Sequence, residues 1–384
     1  MMKQAHWKFF NPVKVFFEAG SVSRLAEYLD YKRVVLVTSP GFTRRGVVER
    51  IEQSLGSRLI LVLDDVKPNP DLRDVDRQLQ ILRPLQPDCI VGLGGGSSID
   101  TAKALARFLV QDPSVTVMEH FRRGQELGQE PAMPVAAIPT TAGTGAEVTP
   151  FGTVWDFEEN RKYSVAGQDL FPSVAILDPE LTMGLPMDVT ISSGLDAVSH
   201  ALESIWNKSA SPVTLGLATK SLQLSIEALK ALKAQPDDSR ARGSMMQASL
   251  LAGLCISQTR TALAHSISYP LTTHFNLPHG IACSFTLPAL LRFNAEADDG
   301  RLMDVARALG HEERLGLAAE LDEVLTSLDV RKVFFDHIAE PTQVLSLVDE
   351  MFTPGRADNN MRAASLGDVE CIVRNAMEPF LRHG

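Results

Sequence analysis

Two stretches of the 384-residue chain carry side chains suited to holding a metal ion. In GLDAVSHALESIWN (residues 194–207), Asp196 and His200 stand four apart, so on a helix both leave one face about one turn from each other. In ALAHSISYPLTTHFNLPHG (residues 262–280), His265, His274 and His279 lie in a largely apolar run, where a buried imidazole needs a partner. One carboxylate with up to three imidazoles suits Zn²⁺ or Fe²⁺, whereas Ca²⁺ and Mg²⁺ prefer oxygen shells. An Asp/His pair alone is more often an ordinary polar helix pair, and it is the second cluster that turns the balance toward a metal. His6, His120, His311, His337 and His383 have no such company and read as surface or solitary core residues.

A second chemistry is written in glycine. GLGGGSSIDTAKALA (residues 92–106) sets Gly94, Gly95, Gly96, Ser97 and Ser98 between an apolar run and a helical pattern. Glycine lets backbone approach a ligand closely, and the free N–H groups and dipole of the following helix favour phosphate. The spacing is neither GxGxxG nor GxxxxGK[ST], so it points to a phosphate-bearing ligand and little more, with a tight strand-to-helix turn as the plain alternative. IPTTAGTGAEVT (residues 138–149) gathers Thr140, Thr141 and Thr144 around Gly143 and Gly145, offering hydroxyls to ribose or phosphate. Two such turns at the carboxyl ends of parallel strands favour a dinucleotide.

The elements that must position these groups follow from hydrophobic pattern. Arg33–Thr38, Leu59–Leu63, Asp88–Leu93 and Pro134–Ile138 read as buried strands, with helical patterns at Arg44–Ser54, Asp71–Leu82 and Ser98–Leu109 between them. Such alternation predicts a parallel sheet covered on both faces. From Asp188 onward the periodicity is helical, near 192–207, 212–233, 238–268, 297–309 and 364–380. The expectation is two domains, an α/β domain over 1–185 and an all-α domain over 186–384, divided near Met183-Gly184-Leu185-Pro186.

Composition narrows the partners. With 47 acidic and 37 basic residues the formal charge is −10, a poor match for nucleic acid or an anionic membrane. Cys89, Cys255, Cys283 and Cys371 are scattered and read as reduced thiols. No signal-peptide core opens the chain and no apolar run approaches the ~20 residues of a membrane span, so a mature, soluble, cytoplasmic protein is expected.

Taken together, GGGSSID, PTTAGTGAEVT, GLDAVSHALES and the His265–His279 stretch resemble the iron-containing, metal-dependent group III alcohol dehydrogenases, from about residue 8 to 380. The resemblance implies a Rossmann-like nucleotide domain, a helical domain, a metal in the cleft between them, and a homodimer or larger homo-oligomer. It implies Asp196, His200, His265 and His279 as ligands of Fe²⁺ or Zn²⁺, and leaves His274 without a ligand role. It implies NAD or NADP contacts at Asn69, Gly95, Gly96, Ser97, Ser98, Asp100, Thr140, Thr141, Thr144 and Lys162. The activity implied is reversible hydride transfer between NAD(P)H and a small aldehyde or primary alcohol. A dehydroquinate-synthase-type lyase is the alternative on a related scaffold, and a catalytically silent nucleotide-binding or filament-forming module is the alternative from outside the enzymes.

Two departures from the family pattern stand out. Tyr269 occupies a position where many members carry a second histidine near the metal, so a phenol would shape the pocket or donate a proton there. The run from His265 to Leu271 is similar to the branch that reduces phosphonoacetaldehyde, for whose phosphonate Arg260 is one cation at hand. At the end of the first predicted strand, Ser39 replaces the acidic residue that NAD-selective members often carry, so nothing there repels a 2′-phosphate. The expected preference for NAD(H) over NADP(H) in kcat/KM is therefore at most about twofold, and a preference of about tenfold or more would overturn that reading of Ser39.

Overall fold

The computed structural model describes residues 6–159 and 161–381, so His383 lies outside the described residues. Among the described residues eight strands form: β1 (Lys14–Phe17), β2 (Val34–Val37), β3 (Leu59–Leu63), β4 (Cys89–Gly94), β5 (Val135–Pro139), β6 (Phe151–Asp156), β7 (Arg161–Ala166) and β8 (Val174–Leu177). Six of them make one parallel sheet in the order β1-β8-β5-β4-β2-β3, while β6 and β7 pair as an antiparallel hairpin. Every residue of β2, β4 and β5 is buried, as a strand covered on both faces requires. Alternation divides their side chains between two cores: Val34, Leu36, Val91, Leu93 and Ile138 pack on one face, and Val35, Val37, Ile90 and Val135 on the other.

The four strands expected from the sequence are present to within a residue or so, but β1, β8 and the hairpin are additional. All four residues of β1 are exposed, so it carries no burial pattern to read. In this half we name α1 (Leu72–Leu82) and α2 (Gly96–Leu109), and in the other α3 (Met187–Ile205), α4 (Pro212–Ala234), α5 (Ser239–Thr259), α6 (Leu263–Phe275) and α7 (His279–Ser284). Every residue of α3 from Gly194 to Ile205 is buried, which makes it the central helix of its neighbourhood. The expected single helix over 238–268 is broken instead at Arg260, whose φ is +64°.

Chain contacts separate two compact units. One comprises 11–141 with 145–183; the other comprises Gly184 onward, the short stretch Ala142–Thr144 and the segment ending at Phe10. No described helix is long and apolar enough to cross a membrane.

Within the sheet unit a buried lysine on α2 organises the chain beyond β5. Lys103 Nζ donates to the carbonyls of Ala146 (2.6 Å), Thr149 (2.7 Å) and Phe151 (2.8 Å) and to Thr149 Oγ1 (3.1 Å). Burial pulls its pKa down to about 8, with Asp100 and Glu147 opposing the shift. Lys103→Met would leave these carbonyls without their donor. At roughly 1–3 kcal/mol per orphaned buried group, the variant should lose about 3 kcal/mol in urea unfolding. A loss below about 0.5 kcal/mol would show that the loop is held by other means.

Candidate metal centre and nucleotide turn

Helix α3 presents Asp196, His200 and Glu203 at steps of four and three, so the three side chains share one face. Glu203 is fully buried and serves the next helix in the cluster. Helix α6 has Ala262 at its N-cap with no side-chain cap there, and Glu203 supplies one from outside: Oε2 accepts the Ala262 N–H (2.8 Å) and Oε1 the His265 N–H (3.1 Å). The same carboxylate accepts His265 Nδ1–H at 2.7 Å. That bond places the proton on Nδ1 and leaves the Nε2 lone pair facing Asp196. His200 is set the same way, its Nδ1 lying 3.2 Å from the Gly143 carbonyl.

His279 opens α7 and reaches the group because Gly280 permits contact with the α3 backbone. A Cβ on Gly280 would lie 1.7 Å from the Ser192 carbonyl oxygen, and one on Gly143 would lie 2.3 Å from that of Ser193. Close approach, not backbone conformation, demands glycine at both positions.

The result is a carboxylate oxygen ringed by imidazole nitrogens. Asp196 Oδ1 is 3.4 Å from His265 Nε2, 3.6 Å from His200 Nε2 and 3.9 Å from His279 Nε2. Donors bound to one ion at about 2.0–2.2 Å stand roughly 3.3–3.6 Å apart in a tetrahedron, close to these spacings. Asp196 and His265 are 4% and 3% exposed, and neither Asp196 Oδ1 nor His265 Nε2 makes a hydrogen bond. Burial works to raise the Asp196 pKa, but His200, His265 and His279 outweigh it and keep the carboxyl ionised well below its ordinary range. Burial lowers the His200 pKa, keeping that imidazole neutral. Burial works to lower the His265 pKa, but Cys283, Glu203 and Asp196 outweigh it and raise it, so the space between His265 Nε2 and Asp196 Oδ1 favours a positive charge. A divalent cation fits that demand, and the donor set of nitrogen and oxygen suits Fe²⁺ or Zn²⁺.

Around this group the other expected residues divide. Tyr269 lies one turn after His265, its ring within 4° of parallel to that of His279 with centroids 6.5 Å apart. Burial raises its pKa, so the phenol keeps its proton. Arg356 stacks its guanidinium 4.9 Å over the Tyr269 ring and donates to Thr261 Oγ1. Arg260 ends α5, and both desolvation and the nearby charge of Arg356 lower its pKa. His274 is on the surface, paired with Glu350 at 2.8 Å. His120, His311 and His337 bond to Gln125 O, Glu320 and Val333 O respectively.

Four participants escaped the sequence reading: Glu203, Gly143, Gly280 and Cys283. Glu203 had a signal, standing seven residues after Asp196 and three after His200 on the same face. Cys283, read as one of four scattered thiols, is buried four residues after His279, with Sγ 3.7 and 3.8 Å from its ring nitrogens.

In the sheet unit, Gly95 caps α2 and Gly96 is its first residue. Gly94 has φ +148°, and a Cβ there would meet Ser98 Oγ at 2.4 Å, so the turn admits only glycine. Ser97 Oγ accepts the Asn69 N–H (3.1 Å), Thr140 N–H donates to Gly94 O (3.0 Å), and Thr141 Oγ1 lies 3.3 Å from where a Gly95 Cβ would stand. Asn69, Gly95, Gly96, Ser97, Ser98, Thr140 and Thr141 therefore gather at the start of α2. Asp100 instead ties α2 to the hairpin by accepting the Thr153 N–H (2.9 Å); burial lifts its pKa to about 6 against the charges of Lys103 and Lys162. Ser39 lies two residues beyond β2 at the N-cap position of the short helix Pro40–Arg44, while Thr144 groups with the helical unit.

Residues 12–179 match the family described as iron-containing alcohol dehydrogenase, and residues 190–377 match the C-terminal region of the Fe-containing alcohol dehydrogenase family. The chain is 37% identical over 295 residues to phosphonoacetaldehyde reductase of Streptomyces viridochromogenes, covering 75% of this chain and 74% of that one. It is 33% identical over 325 residues to the aldehyde-alcohol dehydrogenase of Streptococcus pneumoniae, covering 78% of this chain; the match spans 37% of that relative's length. Its fold superposes on the crystal structure of sulfoacetaldehyde reductase from Bifidobacterium kashiwanohense in complex with NAD⁺ with a TM-score of 0.90 at 30% identity, covering 97% of this chain and 99% of that one. With its two halves matched in sequence and its fold matched along nearly its whole length, the chain belongs to the iron-containing alcohol dehydrogenase family.

Proposed function

We propose that the protein is a metal-dependent oxidoreductase transferring hydride reversibly between NAD(P)H and a small aldehyde or primary alcohol, and that its preferred aldehyde carries a phosphonate or sulfonate. The observation that carries the reading is Asp196 Oδ1 ringed by three imidazole nitrogens at 3.4–3.9 Å. Asp196, His200, His265 and His279 would hold Fe²⁺ or Zn²⁺, which when bound supplies Lewis acidity toward a carbonyl oxygen. Glu203 and the Gly143 carbonyl keep two of the imidazoles in the ligating tautomer. Tyr269, neutral and beside His279, is the proton donor to the product oxygen.

The α2 N-terminus and its glycine turn would hold the dinucleotide's diphosphate, with Asn69, Ser97 and Thr141 at its edge. NADP(H) use is supported by a guanidinium on the same turn as Ser39: a Cβ on Gly41 would lie 3.9 Å from Ser39 Oγ and 3.9 Å from Arg45 Nη2, and Arg45 stacks 4.3 Å over Phe42. The anionic substrate is supported by Arg356 over the Tyr269 ring, by Arg260 close enough to feel the charge of Arg356, and by the names of two similar proteins. Free cysteines at all four positions agree with a reducing, cytoplasmic location. A homo-oligomer belongs to the same proposal through the family resemblance.

Anaerobic reconstitution with Fe²⁺ or Zn²⁺, followed by NADPH-coupled reduction of phosphonoacetaldehyde, sulfoacetaldehyde and propanal, tests the whole proposal. The anionic aldehydes should exceed propanal in kcat/KM by about tenfold or more. Equal rates would remove the anion preference, and no oxidation of NADPH or NADH with any aldehyde would remove the activity.

His265→Ala should lose bound metal and turnover together while binding of NADPH, followed by fluorescence, changes by less than about threefold. Near-normal turnover in a metal-free variant would refute the Lewis-acid role.

A further inference from the structure

Cysteine 283 is placed unlike the other buried thiols. Cys255, for comparison, rests its S–H on the Thr214 carbonyl at 3.3 Å, an ordinary way to bury a thiol. Cys283 Sγ instead faces the ring of His279, 3.7 Å from Nε2 and 3.8 Å from Nδ1. Asp196, His265, His279 and Cys283 each contribute one donor atom to a set lying within 4.8 Å of one another. His200 is outside that set, although its Nε2 is 3.6 Å from Asp196 Oδ1. Two donor sets thus share Asp196, His265 and His279, one completed by nitrogen and the other by sulfur. The shared part includes two buried atoms that make no hydrogen bond, Asp196 Oδ1 and His265 Nε2.

We propose that Cys283 is a ligand of this metal centre through Sγ, competing with His200 for the fourth position and drawing the site toward thiophilic ions such as Zn²⁺ and Co²⁺. Thiolate is the softest donor within reach, and a bound divalent cation deprotonates a coordinating thiol outright. The short reach is set by helix geometry, since His279 and Cys283 leave α7 on one face, one turn apart. This proposal rests on the metal assignment made above, and the two can fail separately.

The test is anaerobic Co²⁺ titration of the full chain in a Cys371→Ser background, which removes the exposed thiol. At one Co²⁺ per chain, a sulfur-to-cobalt charge-transfer band should appear in the near ultraviolet. It should vanish in Cys283→Ser and Cys283→Ala while the visible d–d bands persist. His200→Ala should keep the ion and strengthen the charge-transfer band. Zn²⁺ affinity should fall at least about tenfold in Cys283→Ser, with Mn²⁺ affinity changed by less than about twofold. Stoichiometric Co²⁺ without the band in the parent protein would overturn sulfur ligation and leave the metal site standing; absence of Co²⁺ binding would overturn the metal site itself. The band in the parent does not depend on any variant at Cys283 folding.

Discussion

Electron-donor atoms packed face to face in a largely buried space repel one another, and the helical half of this protein is built around such a group. Asp196 Oδ1 and the Nε2 atoms of His200, His265 and His279 converge, and Asp196 Oδ1 and His265 Nε2 do so without a hydrogen bond. Removed from that role, each orphaned group would cost roughly 1–3 kcal/mol. A divalent charge at their centre turns the repulsion into attraction, which explains why such an arrangement can persist in a buried helix core.

The surrounding structure keeps those atoms aimed. Glu203 supplies the missing cap of α6 and fixes the tautomer of His265, so the start of the helix and the aim of its ligand depend on the same carboxylate. The price appears next door, where Arg260 is held at φ +64°, a conformation that side chains other than glycine adopt at a cost of order 1–3 kcal/mol. That strain and the Glu203 bonds together account for two helices, α5 and α6, where periodicity alone predicts one. Gly143 and Gly280 act from the other side by letting backbone meet α3 closely enough to bring the Gly143 carbonyl to His200 and the His279 ring to Asp196.

The sheet unit follows a different logic, with free backbone N–H groups and not side chains gathered at its glycine turn. Gly94 admits the turn, α2 offers its free N–H groups, and Lys103, buried on the same helix, gathers the carbonyls of the chain that follows β5. Asp100 illustrates how a polar residue in a motif is shared between roles, since its carboxylate already accepts the Thr153 N–H.

Much of this was legible in one dimension. Short continuous apolar runs located β2, β3, β4 and β5, and the glycine turn and the Asp196/His200 pair declared themselves through spacing, because such patterns are local properties of the chain. The exposed β1 carried no burial pattern, and His274 differed from His265 and His279 only in being paired at the surface with Glu350. Neither the cap that Glu203 lends to α6 nor the approach of Cys283 to three metal-ligand candidates could be read from residue type, since both join segments far apart in sequence or depend on where a helix packs. Composition and spacing determined which atoms could donate electrons. Only the tertiary structure decided which lone pairs converge, because that depends on side-chain tautomers and backbone contacts set by distant partners.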